Sequence, residues 1–264
     1  MAVLRSVLTK TLWDQRRSLL AWAVGIAAVA VMYSSFYPST RERSAETVAS
    51  LPPALRQALA FGQITSPAGY LEATVFNFIV PLLLVLFVAA TGARAIAGDE
   101  EAGILDLLLA HPVGRGGFML QRFAALAVAT AAVSGVVLLG MLAVAGPAEL
   151  DIPAGNLAAM ALHLALLGLC FGTVALAIGA ATGHRAAALA GTAVVAVLSY
   201  FANTLAPQQP ATEWLQRLSP FAYYAGGRPL ERGVQLGDAA VLLATSAALV
   251  VVGVLTFARR DVSV

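Results

Sequence analysis

The sequence predicts an all-α membrane protein with six transmembrane helices, and three observations predict it. Of 264 residues, 59% are hydrophobic and 11% are charged, where soluble domains carry about a quarter charged residues. The mean hydropathy is +0.83. Six apolar runs, 19–37, 74–97, 119–145, 157–181, 186–205 and 239–257, are each long enough to cross a ~30 Å hydrocarbon core at ~1.5 Å per residue. They are too long for outer-membrane barrel strands and lack strict alternation. A net charge of +2 with no basic tract argues against a nucleic-acid partner. The single cysteine, Cys170, lies inside an apolar run and forms no internal disulfide. Without a tandem repeat, 1–264 reads as one transmembrane domain.

Residues 1–18, MAVLRSVLTKTLWDQRRS, have no short apolar core with a cleavage site and are not read as a removable signal peptide. Val3, Leu4, Val7, Leu8 and Leu12 fall at helical spacing, with Arg5, Lys10, Asp14, Arg16 and Arg17 largely elsewhere. This predicts an interfacial helix lying on the membrane surface; the alternative is a basic flank that fixes topology. In the loop 38–73, Pro52 and Pro53 can start a helix with Leu55, Ala58 and Leu59 on one side. In the second run, Pro81 frees a backbone carbonyl and bends the helix, and Asn77 either faces a translocation path or bonds across helices. The third and fourth runs are rich in Gly, Ala and Ser, as close helix packing in lipid requires. His163 and Cys170 share a face of the fourth run; a packed histidine bonded to a neighbouring helix is favoured over a metal-ligand pair. Ser199 and Tyr200 in the fifth run have no base spaced near them, so core packing is favoured there.

The segment 206–238 contains TEWLQRLSPFAYYAGGRPLERG. Trp214, Leu215, Leu218, Phe221, Tyr223 and Tyr224 make it too apolar for a solvated loop, and its aromatics suit the headgroup region. Pro220 breaks any helix there, which predicts two short helices dipping into the outer leaflet; the alternative is an aromatic belt on one loop. Trp214, Phe221, Tyr223 and Tyr224 are the candidate outer gate.

Lys and Arg set the orientation. With the N-terminus in the cytoplasm, that side holds Arg5, Lys10, Arg16, Arg17, Arg94, Arg115, Arg122, Arg185, Arg259 and Arg260. The other side holds Arg41, Arg43, Arg56, Arg217, Arg228 and Arg232. Both termini are therefore expected in the cytoplasm.

Between the second and third runs lies GDEEAGILDLLLAHPVGRGGFMLQR, a polar loop over 98–118. Residues 99–110 read as a short helix with Asp99 as cap and Glu100 and Glu101 in the first turn, where the dipole favours anions. Ile104, Leu107 and Leu108 share a face, with Leu105 and Leu109 beside it. His111 precedes Pro112 and is pushed out of helical geometry. Large apolar side chains left in water forgo ~1.5–3 kcal/mol each, so this face rests on lipid or fills a groove on a partner.

This stretch resembles the cytoplasmic loop of ABC-2 type transporter permeases, whose pattern is two acids, Gly-Thr-Leu-Glu, a leucine cluster and Pro-Val-Ser-Arg. Glu101, Gly103, Leu105, Leu107, Leu108, Leu109, Pro112, Val113 and Arg115 match it. Ile104 stands for the Thr, Asp106 for the Glu and Gly114 for the Ser, and Arg122 stands near a common Lys. LSPFAYYAGGRPL in the outer segment also resembles the family. The resemblance implies a coupling helix docking on a separate ATPase subunit through Asp99, Glu100, Glu101, Ile104, Leu105, Leu107, Leu108, Pro112 and Arg115. It further implies two permease copies, or one with a paralogous permease, and two ATPase subunits that bind ATP and Mg; this chain would bind no cofactor of its own.

No GxxxxGK[ST] occurs, so no phosphate-cradling loop is present. No CxxC, HExxH or paired intramembrane carboxylates point to metal or proton-relay chemistry. The expected function is the permease subunit of an exporter of a lipophilic compound (drug, lipid or natural product), in contact with membrane lipids of a bacterial inner membrane. The alternative, a stand-alone secondary transporter or intramembrane enzyme, needs ionisable residues within the spans, and these are nearly absent.

Overall fold

The computed structural model describes residues 7–50, 66–105 and 114–260, with the side chains of 44–50 aside. All regular structure among them is helical, and six stretches are long and apolar enough to cross a membrane. The order is α1 (Val7–Ser35), α2 (Tyr37–Ser50), α3 (Pro67–Glu101), α4 (Arg115–Ala145), α5 (Ala154–Thr182), α6 (Arg185–Leu205), α7 (Pro220–Ala225), α8 (Pro229–Arg232) and α9 (Leu236–Arg259).

The separate surface helix expected over 1–18 is not a separate element in its described part. Residues 7–18 run without a break into the first span, because WDQRRSLLAWAV offers neither proline nor glycine to end a helix. At ~1.5 Å per residue the 29 residues of α1 reach about 43 Å, so its charged first turns stand beyond the hydrocarbon. The candidate helix at Pro52 and Pro53 lies outside the described residues.

α5 is the axis of the bundle. Of its apolar stretch, 78% is buried within the chain, against 11% for α6. α3, α4, α6 and α9 all pack on α5, and α1 packs on α4. Close approach is what the small residues provide. A Cβ added at Gly92 of α3 would lie 2.4 Å from the carbonyl oxygen of Gly172 and 2.9 Å from the Ala175 Cβ, both in α5. No rotamer change relieves a clash with backbone, so only glycine fits that crossing.

α3 is one span assembled from five pieces: α-helix Pro67–Leu71, a π turn Glu72–Phe76, α-helix Ile79–Ala93, a second π turn Arg94–Gly98, and a last turn Asp99–Glu101. Pro81 explains the first interruption. Its ring displaces the carbonyl four residues back, that of Asn77, and the helix breaks at Asn77 and Phe78, where Phe78 has φ −137°. The π turn ahead of it takes up the extra residue.

We predict that Gly92→Val lowers stability by about 1–3 kcal/mol through overpacking, read as thermal unfolding in detergent. Gly25→Val, where an added Cβ meets nothing within 4 Å, should leave the transition in place.

Candidate functional site

The inner end of α3 is built from the three acids Asp99, Glu100 and Glu101. Consecutive helical residues point about 100° apart, so three in a row address three different neighbours. Asp99 forms an ion pair with Arg122 of α4. Glu100 forms one with Arg260, just past α9. The Glu101 carboxylate accepts from the backbone N–H of Arg185 at the first residue of α6, at 2.7 Å. One helical turn thus ties α3 to α4, α9 and α6.

The cations are themselves held. Arg122 donates to Thr11 Oγ1 of α1 at 2.6 Å and lies over the Phe118 ring. Arg260 donates to the Ala180 carbonyl at 3.0 Å, closing the end of α5. Arg115 donates to the Arg260 carbonyl at 2.6 Å and the Phe257 carbonyl at 3.3 Å. These partners are required: acids at a helix C-terminus oppose its dipole, and a charge taken from water is stable only when paired.

This arrangement corrects the start of the helix expected over 99–110, of which 106–110 lie outside the described residues. Asp99 is not its cap but part of the tail of α3. The chain turns at Gly103, whose φ is +66°. The N–H of Ile104 donates to the Asp99 carbonyl and that of Gly103 to the Glu100 carbonyl, the paired bonds of a Schellman motif. Glycine at the left-handed position decides the boundary. Leu105 is 1% exposed and belongs to the chain's own inner core with Ile96, Phe118, Met119, Leu176 and Phe257, so it is not a surface for a partner. Ile104 is 41% exposed. Leu107, Leu108 and Pro112 lie outside the described residues.

The outer end is locked by a different device. Tyr224 of α7 is fully buried, and its hydroxyl donates to the Phe76 carbonyl beside the break in α3 at 3.0 Å. Burial pushes its phenol well above the ordinary range. Ser219 caps α7 by accepting from the Phe221 N–H, and it donates to the Ser199 carbonyl of α6 at 2.7 Å. Pro220 begins α7 and follows a 3-10 turn over Glu213–Leu218, so short helices flank it as the sequence predicts. Phe221 sits between Phe171 of α5 and Tyr200 of α6. Tyr223 donates to the Arg217 carbonyl, while Trp214 is exposed and makes no part of this lock.

α5 supplies two polar anchors to the same segment. The Asn156 amide donates to the carbonyls of Leu230 and Glu231. The Gln235 N–H points at His163 Nε2 at 3.3 Å, so that nitrogen accepts; Nδ1 carries the proton and donates to the Tyr223 carbonyl at 3.3 Å. His163 is thus a packed histidine bonded to its neighbours, and no group of candidate metal ligands exists among the described residues.

Between these ends, an apolar cavity of about 290 Å³ lies where α3 and α6 diverge, with Asn77, Phe78, Leu82, Tyr200, Phe201 and Phe221 in its wall. A second, of about 300 Å³, contains Glu72, Asn77 and Arg228. Asn77 borders both. Pro81 is buried and acts through the break it causes.

The ABC-2 family transporter protein model matches residues 5–262. The chain belongs to the ABC-2 transporter family. No curated protein matches it significantly. The permease is therefore the membrane component of an ABC transporter, associated with an ABC ATPase subunit and not itself the catalytic part. That assignment displaces the stand-alone secondary transporter and the intramembrane enzyme. In the sequence, Arg185 and Arg260 count only toward orientation, and Arg122 toward orientation and the family pattern. The signal for their pairing is three acids ending at a glycine, with an arginine near the same end of each neighbouring span.

Two outcomes are expected. Asp99→Ala leaves the Arg122 guanidinium buried without its counter-charge, at a cost of about 3 kcal/mol, seen as a lower unfolding temperature of the purified permease. Tyr224→Phe keeps the ring but strips the Phe76 carbonyl of its donor, costing about 1–3 kcal/mol, and hydrogen exchange should rise near 76–80 with little change at the inner end.

Proposed function

We propose that the permease is the membrane-spanning subunit of an ATP-driven exporter of a lipophilic compound, a drug, lipid or natural product, in a bacterial inner membrane with both termini in the cytoplasm. Two copies, or one copy and a paralogous permease, pair with two ATPase subunits that bind ATP and Mg. The motors act on the 98–118 loop, and their binding free energy biases the membrane domain between two states.

The observation that carries this reading is the clamp at Asp99, Glu100 and Glu101. A segment rooted in one turn that is tied to α4, α6 and α9 transmits a push to several spans at once. A floppy root would absorb it. The apolar cavity between α3 and α6 supports a lipophilic cargo, since a pathway walled by Phe78, Leu82 and Phe201 offers an ion little to replace its hydration. Tyr224, Phe221 and Tyr223 close the outer side in this reading. The apolar face of α6, with Val194, Val197 and Leu198 exposed, supports pairing of two copies along that span.

Leu107 and Leu108, mid-loop in a leucine cluster, are the anchors in the motor cleft, with Ile104 beside them. Replacing both leucines with Asp places charge in a buried contact and breaks docking by several kcal/mol. The double variant should reach the membrane at normal levels, copurify with little ATPase subunit and show no substrate-stimulated hydrolysis. Full ATPase binding with full transport would overturn the coupling role.

A further inference from the structure

We propose that the inner end of the permease carries a binding site for a phosphate group, formed between α1, α3, α4 and α6. A cavity of about 330 Å³ lies there, and its wall includes Lys10, Arg94, Arg122 and Arg185 against two carboxylates, Asp14 and Asp99. Four cations facing two anions leave an excess positive charge in a concave space, with Lys10, Arg94 and Asp14 exposed at its rim and Arg122 buried, where it acts more strongly than on a flat surface.

The unused donors point the same way. The Nε–H groups of Arg122 and Arg185 are both buried and have no hydrogen-bond partner, although buried guanidinium donors are ordinarily satisfied. Arg122 itself is 9% exposed. Its terminal nitrogens are anchored on Asp99 and Thr11, so the free Nε–H is a donor held in a fixed orientation. Arg94 makes no hydrogen bond or ion pair with any described residue. The first N–H of α6 is already taken by Glu101, and the donors assigned to the anion are side chains. Tetrahedral phosphate oxygens match this need, accepting from several guanidinium groups at once.

Two sources carry that group at this depth. One is the headgroup of an anionic glycerophospholipid such as phosphatidylglycerol, reaching in from the adjoining leaflet; the other is free phosphate. The proposal borrows from the functional reading only that this end lies at a headgroup layer, and binding in detergent is scored whatever the cargo.

The test uses the purified full chain in a zwitterionic detergent, titrated separately with phosphatidylglycerol, phosphatidylcholine and inorganic phosphate, with bound molecules counted by native mass spectrometry. We expect saturable binding of phosphatidylglycerol over phosphatidylcholine. Arg94→Gln/Arg185→Gln should weaken it about tenfold or more, the loss expected for charge-assisted hydrogen bonds. Neither side chain is part of the clamp, so the variant should keep the wild-type unfolding temperature. Arg16→Gln/Arg17→Gln, which removes the same charge from outside the cavity, should change binding little. Saturable inorganic phosphate binding that the cavity variant abolishes, with no preference between the lipids, would uphold the site and assign it to a soluble anion. Absence of saturable binding by either source, or an equal loss in both variants, overturns the proposal.

Discussion

The bundle depends on one constraint: three adjacent carboxylates at the end of a membrane span must each find a donor. Three adjacent side chains here reach three other spans. Helices in lipid gain little from burying apolar faces on one another, because lipid tails are equally apolar. Polar contacts at the ends therefore decide relative placement more than they do in water. Asp99, Glu100 and Glu101 supply them for α4, α9 and α6. The second π turn sits directly before them; its extra residue rotates this last turn by about 100° relative to a plain α-helix. That rotation sets which acid faces which span.

The opposite end of α3 solves the reverse problem. Pro81 leaves the span short of a backbone donor, and an unsatisfied carbonyl inside a membrane domain is costly. The missing donor falls to the Asn77 carbonyl, and the carbonyl just before it, that of Phe76, accepts from a side chain far along the sequence, Tyr224. His163 and Asn156 then fix the backbone around that tyrosine from the central helix. α3 is thus gripped by cations at one end and by a phenol at the other, with its break and the Asn77 cavities between them.

The six spans are legible because length and hydropathy alone define them, and Pro220 announces its flanking short helices. The root of the loop is where the pattern misleads. A run of acids ahead of leucines has the pattern of a helix start, since anions favour an N-terminus. Here they end a helix instead, and only the partners reveal why that is tolerated: Arg122, Arg260 and the Arg185 N–H are 23, 160 and 84 residues away. Gly103 is the local cue, as glycine is the usual residue just past a helix C-terminus. The leucine pattern likewise does not separate Leu105, turned into the chain's own core, from the exposed Ile104 next to it. A Schellman turn reverses the chain ahead of them, and helical periodicity cannot be carried across such a turn.

The contrast between α5 and α6 stems from the same physics. α5 is enclosed by protein along most of its length, and its crossing with α3 at Gly92 is backbone against backbone; moving it would break close packing throughout. α6 presents most of its surface outward, and exchanging one apolar neighbour for lipid or for another apolar helix changes its energy little. Its position is therefore set chiefly at its ends, by Glu101 at its first residue and by Ser219 on the Ser199 carbonyl toward the last. Those two contacts belong to the two devices that grip α3. The root of the 98–118 loop and the Tyr224 lock thus both reach α6, and the cavity at Asn77 is bounded by α3 and α6.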